Sequence, residues 1–186
     1  MKPWKTVQEN VVFDASPYLK VLKQRVELPD GKSVDDFFQV HLRAFAVVVP
    51  VLPDGRILTI RQYKHGLGRV SLTFPAGFVE DGEAPDVAVR RELLEETGYE
   101  AQSLTHLGEF VDNGNQRGCV GNYYVATGCN KIAEPDSGDL EEMEIAALST
   151  ADIDAALANG DIGIIHQASA WALAKALNAL PITRET

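Results

Sequence analysis

Residues 77–99 read GFVEDGEAPDVAVRRELLEETGY, a loop that feeds a short helix overloaded with carboxylates. Pro85 suits a first helical position, where its missing N–H costs nothing, and acidic Asp86 follows in the first turn. Gly98 suits the position just past the end, where a left-handed backbone is wanted. Between these limits Glu92, Glu95 and Glu96 stand at i, i+3 and i+4, so their carboxylates project from one face. Val87 and Leu94, seven apart, are expected near the opposite face, anchoring the helix in a core.

Like charges at this spacing repel and destabilise a helix, so the cluster needs a cation. Arg91, four residues before Glu95, is one candidate. A hard divalent ion is another, because Mg²⁺ prefers oxygen ligands and binds through a few carboxylates together with substrate phosphates. On carboxylate spacing alone, a solvated acidic face remains an equal reading.

The wider spacing separates the two. Five residues divide Gly77 from Glu83, and seven divide Glu83 from Arg91-Glu92-Leu93; Glu95-Glu96 and Gly98 each follow after one more. This pattern resembles the signature box of the Nudix hydrolase family, with each of its Gly, Glu and Arg positions filled. Tyr99 stands where that family usually has an aliphatic residue, at the packing end of the motif. RQYK at 61–64, FPAG at 74–77 and an acidic segment near Glu141 extend the resemblance toward the ADP-ribose pyrophosphatase branch.

Composition sets limits of its own. A chain of 186 residues suits one domain with a full core, and 45% hydrophobic with 24% charged residues is ordinary for a soluble globular protein. Seventeen basic against 27 acidic residues give a net charge of −10, which argues against a nucleic-acid surface. A phosphorylated small molecule remains compatible, since a bound metal reverses the local sign. Cys119 and Cys129 have no zinc-type spacing and read as two buried or half-buried thiols. No window approaches a membrane span, and the expected location is cytoplasmic.

Along the chain, residues 19–28 and 34–42 read as a hairpin around Pro29-Asp30-Gly31. Residues 44–52 form a continuous apolar run, expected as a buried central strand. Strands are further expected over 56–62, 70–74, 101–110, 120–127 and 144–148, with residues 111–118 as a polar connection. Residues 152–159 and 164–180 read as helices, with Trp171 as a packing residue and His166 as structural.

The resemblance implies an α/β fold of the α+β kind: the Nudix α/β/α sandwich with a mixed sheet, plus an N-terminal antiparallel β segment. The organisation expected is that segment over 1–42, at a dimer interface where Trp4 and Phe13 are candidates, and a Nudix hydrolase domain over 43–186. It implies Mg²⁺, with Mn²⁺ as a possible substitute, held by Glu92, Glu96, a shared Glu95 and the carbonyl of Ala76. Arg91 would clamp the carboxylates, with Glu83 either orienting it or contributing to the metal network. Glu141, or its neighbours Glu142 and Asp139, would serve the attacking water. Arg61, Lys64 and Arg117 are the candidate substrate contacts. A Ser-Pro-Gly type of loop common in the branch is replaced by residues 113–117, NGNQR, which leaves the exact substrate open. The reaction implied is hydrolysis of a nucleoside diphosphate sugar by a homodimer with no nucleic-acid or membrane partner. Nucleoside triphosphates, dinucleotides and a non-catalytic ligand-binding regulator are the alternatives.

Overall fold

The computed structural model describes residues 1–138 and 142–181. Backbone contacts divide the chain into two compact units, residues 1–44 with 110–121, and residues 45–109 with those from 122 onward.

The first unit is a sheet of β1 (Lys5–Ala15), β2 (Leu19–Glu27) and β3 (Ser33–Leu42). Its strands run antiparallel, β1 on β2 and β2 on β3. The turn after β2 forms as the sequence predicts. Gly31 takes φ +85, which a side chain would resist, and Asp30 accepts the Lys32 N–H at 3.1 Å. β3 also pairs in parallel with the start of β10 (Arg117–Thr127), Val40 opposite Arg117. Leu22 and Val26 of β2 are buried, whereas every residue of β1 is exposed.

The second unit is layered around β4 (Phe45–Val51), which is buried along its whole length. Because strand side chains alternate between faces, this one strand serves two helices. Ala46 and Val48 pack with Ala88, Val89 and Leu93 of α1 (Pro85–Thr97). Phe45 lies against His166 of α3 (Ile165–Ala176), ring centroids 4.4 Å apart. Burying a side chain such as Leu93 contributes about 2 kcal/mol. Beside β4 lie β5 (Ile57–Lys64), flanked antiparallel by β6 (Arg69–Thr73) and β12 (Met143–Leu148), and the short β7 (Ala76–Phe78), antiparallel to β4. β8 (Tyr99–Glu100) pairs with β11 (Asn130–Lys131), and β9 (Ser103–Asn113) pairs with β10. α2 (Thr150–Ala158) begins on a reciprocal cap between Ser149 and Asp152. Trp171 of α3 is buried, stacks near Phe74 and donates its indole N–H to Asp154 at 2.7 Å.

Three expectations are corrected. Val87 and Leu94 do not anchor α1: they are 53% and 37% exposed, and Ala88, Val89 and Leu93 are buried instead. On a helical projection Glu92 and Glu96 fall on the same side as Val89 and Leu93, so the carboxylates and the core share a face. The connection over 111–118 shrinks to residues 114–116, because β9 and β10 run on into a long hairpin closed by Asn113, whose Oδ1 accepts the N–H of Asn115 and Gln116. The last helix stops at Ala176, with Asn178 in a left-handed conformation at φ +52. Among the described residues no helix is long and apolar enough to cross a membrane.

Candidate active site

β7 and α1 both lean on β4, and this brings the box residues together. In β7, Ala76 stands opposite Val47 and Gly77 opposite Ala46. α1 packs on the same Ala46 and on Val48. The helix is well delimited, starting at Pro85 and ending on Gly98 at φ +76, whose N–H returns to the Leu94 carbonyl.

Two carboxylates are held against the β7 backbone. Glu96 is only 3% exposed, and its Oε2 accepts the Ala76 N–H at 3.0 Å. A Cβ built on Gly77 would fall 2.0 Å from both Cδ and Oε1 of Glu92, so glycine alone leaves room for that carboxylate.

Arg91 gathers the rest. Its Nε donates to Glu83 at 3.0 Å, and one terminal nitrogen reaches Glu92 at 2.7 Å and Glu95 at 3.1 Å. The other reaches the Phe78 carbonyl and Glu83, each at 3.1 Å. Hydrogen bonding from Arg91 holds the Glu83 carboxyl below its ordinary range, helped by the Glu80 N–H. The guanidinium is raised in turn, chiefly by Glu83.

A cation suits this arrangement on electrostatic grounds. Glu95 and Glu96 sit in the last turn of α1, at the negative end of its dipole, and no basic residue occupies that turn. The available donors, carboxylate and carbonyl oxygens, are those a hard divalent ion takes. Among the described residues no three acidic, histidine or cysteine side chains enclose an ion as they now stand. Arg91 is the cation that Glu92 and Glu95 engage.

The remaining candidates lie elsewhere. Arg61 on β5 forms a two-pronged pair with Asp161, at 3.1 and 2.5 Å, which raises the guanidinium and holds the Asp161 carboxyl below its ordinary range. Arg61 also lines an open pocket of about 540 Å³, together with Tyr63, Glu142 and Glu144. Lys64 ends β5, half-buried and opposite Arg69. Arg117 belongs to the first unit, where its backbone takes φ +71. Glu141 and Asp139 lie outside the described residues. Asp161, one hundred residues beyond Arg61, was not read from the sequence, and no local pattern marks it. Gln62 is a further buried polar residue that sequence reading passed over.

Comparisons with known proteins bear on the family and the fold. Residues 40–168 match the NUDIX domain, and residues 4–40 match a nucleoside diphosphate sugar hydrolase N-terminal domain. The chain is 31% identical over 153 residues to a methanol dehydrogenase activator of Bacillus methanolicus, covering 82% of this chain and 80% of that one. It is 36% identical over 106 residues to an ADP-ribose pyrophosphatase of Bacillus subtilis, covering 57% of this chain and 56% of the relative. An ADP-sugar pyrophosphatase of Mus musculus is 31% identical over 139 residues, with 66% of this chain and 56% of the relative covered. The chain therefore spans little more than half the length of these two pyrophosphatases. A crystal structure of an ADP compounds hydrolase shares the fold, with a TM-score of 0.79, 21% identity and 96% of both chains covered.

Proposed function

The chain belongs to the Nudix hydrolase family, and from that premise we propose that it hydrolyses the diphosphate of ADP-ribose or a related nucleoside diphosphate sugar. The products from ADP-ribose are AMP and ribose 5-phosphate. The observation that carries this reading is the pairing of a buried Glu96 on Ala76 with a Glu92 carboxylate pressed against Gly77.

Glu92 and Glu96, the Ala76 carbonyl and a shared Glu95 would hold Mg²⁺, or Mn²⁺ in its place, since both suit oxygen ligands. The bound ion supplies charge neutralisation on the phosphoryl oxygens. The protein's own part is positioning. Arg91, fixed by Glu83, sets the directions of Glu92 and Glu95 and limits their mutual repulsion. Glu141 is assigned to hold the attacking water and take its proton, with Glu142, on the wall of the Arg61 pocket, as the neighbouring alternative. Arg61 and Lys64 are assigned to the substrate's phosphate and sugar end, and Arg117 to a further phosphate contact.

A homodimer in the cytoplasm, with no nucleic-acid or membrane partner, completes the proposal. The net charge of −10 supports the absence of nucleic acid. The apolar side chains exposed on β1, among them Val11 and Phe13, support a second copy as their cover. One observation favours a second reading, a regulator that acts by binding: a relative matched over 82% of the chain is named a methanol dehydrogenase activator.

The test is product analysis across ADP-ribose, other sugar diphosphates, dinucleotides and nucleoside triphosphates, with Mg²⁺ and with chelator. AMP and ribose 5-phosphate appearing only with metal support the diphosphatase. Tight ADP-ribose binding without turnover would favour the regulator.

A further inference from the structure

One buried side chain on β5, next to Arg61, has an unmet requirement. Gln62 is 3% exposed, and its Nε2 donates to Thr73 Oγ1 at 3.0 Å. The Thr73 hydroxyl spends its single proton on the Ile60 carbonyl, at 2.9 Å. Thr73 can therefore only accept from Gln62, which fixes the amide with its NH₂ toward Thr73 and its oxygen away. That oxygen, Oε1, is buried and has no partner among the described residues. Native structures rarely leave a buried acceptor unpaired.

Its place in the sheet says which donor it awaits. Gln62 stands opposite Met143, in the row that continues through Ile60 and Ile145 to Leu58 and Ala147. Leu58 belongs to the core formed with Ala88, Val89 and Leu93 of α1, and Ile145 and Ala147 pack against that core. Gln62 thus prolongs the sheet face that carries the box helix, and it also lines the pocket beside Arg61. The diphosphate offers only acceptors. The groups nearest it that can donate are the hydroxyls of the attached sugar; the amine of the base lies several bonds further off.

We infer that Gln62 is a specificity-determining residue whose Oε1 accepts a hydrogen bond from the 2- or 3-hydroxyl of the sugar attached to the diphosphate. The inference rests on the proposed diphosphatase reading. It adds a reason for preferring a sugar over a bare phosphate ester.

The experiment compares kcat/KM of wild type, Gln62→Met and Gln62→Glu on three substrates: ADP-ribose, its inosine analogue, and the methyl ester of ADP, which has no second sugar. Gln62→Met removes the acceptor and Gln62→Glu keeps one. The expected result is a loss of about tenfold in Gln62→Met on both ribose substrates, with the methyl ester changed less than twofold. Gln62→Glu retains the wild-type ratio of ADP-ribose to methyl ester. A loss equal on all three substrates indicates a trapped water or a structural role and overturns the inference. A loss confined to ADP-ribose assigns the oxygen to the base amine and overturns it too. If Gln62→Met does not fold, wild type decides with the 2- and 3-deoxy analogues of the terminal ribose: turnover of both within twofold of ADP-ribose overturns the inference. No turnover of any substrate by wild type would instead sink the diphosphatase reading itself.

Discussion

The box segment and strand β1 treat their side chains in opposite ways. Between Ala76 and Gly98, five charged groups, Glu83, Arg91, Glu92, Glu95 and Glu96, are partly or fully shielded and matched. Glu96 is buried on a backbone N–H, and Arg91 joins Glu83, Glu92, Glu95 and the Phe78 carbonyl. Along β1 every residue is exposed, apolar Val7, Val11, Val12 and Phe13 included, and among the described residues its strand pairing is with β2. One region keeps costly groups inside because each finds a hydrogen-bond partner within the same segment. The other leaves inexpensive groups outside with no cover of its own. The difference separates a part whose geometry is set by the chain itself from a part that invites an external surface.

The sharpest break in this contrast is Gly77→Ala. Its added methyl would meet the Glu92 carboxylate at 2.0 Å and push it off the β7 backbone. Displacing a catalytic group by about 1 Å costs about a hundredfold, so steady-state kinetics on ADP-ribose should show kcat/KM down by about that factor. The far-ultraviolet circular dichroism should stay that of wild type.

Arg91→Ala tests whether the inward charges are held by their own cation. Its partners are partly shielded, the Glu83 side chain being 13% exposed, and removal should cost about 2 kcal/mol in urea unfolding at pH 7. The sign of its pH dependence follows from the Glu83 carboxyl being lowered below 4.5 in the folded chain. That contribution is present above pH 4.5 and is lost as pH falls through the lower folded value. Urea midpoints of wild type should therefore drop below pH 4.5 more steeply than those of Arg91→Ala.

The smallest effect on the folded chain is expected from Val11→Ser with Phe13→Ser on β1. Both side chains are about half exposed, and stability should change by less than about 1 kcal/mol. If the proposed homodimer forms through β1, sedimentation should shift from dimer to monomer. An unchanged dimer would locate the contact on another surface.

What could be read from the sequence follows the same division. The limits of α1, the Pro29-Asp30-Gly31 turn and the buried run at β4 rest on local rules, and the structure places each where those rules put it. The buried face of α1 was misread because carboxylates normally mark the wet side. Here Glu92 and Glu96 share a side with Val89 and Leu93, and only the approach of β7 makes that tolerable. Arg61 was legible as a candidate, but its partner Asp161 arrives through tertiary structure that no local spacing encodes. Gln62 was hidden for a similar reason. The unmet acceptor exists only because Thr73, across the β5–β6 pair, has already used its proton.

The most direct test of the box account is metal binding by Glu96→Gln. Mn²⁺ binding would be followed by electron paramagnetic resonance, with ADP-ribose hydrolysis measured on the same samples. Wild type should bind Mn²⁺ and turn over ADP-ribose. Glu96→Gln, with an unchanged melting temperature, should lose affinity and at least about a hundredfold in turnover together. A variant that binds Mn²⁺ as wild type does and still hydrolyses ADP-ribose would contradict it, and would move the metal away from α1.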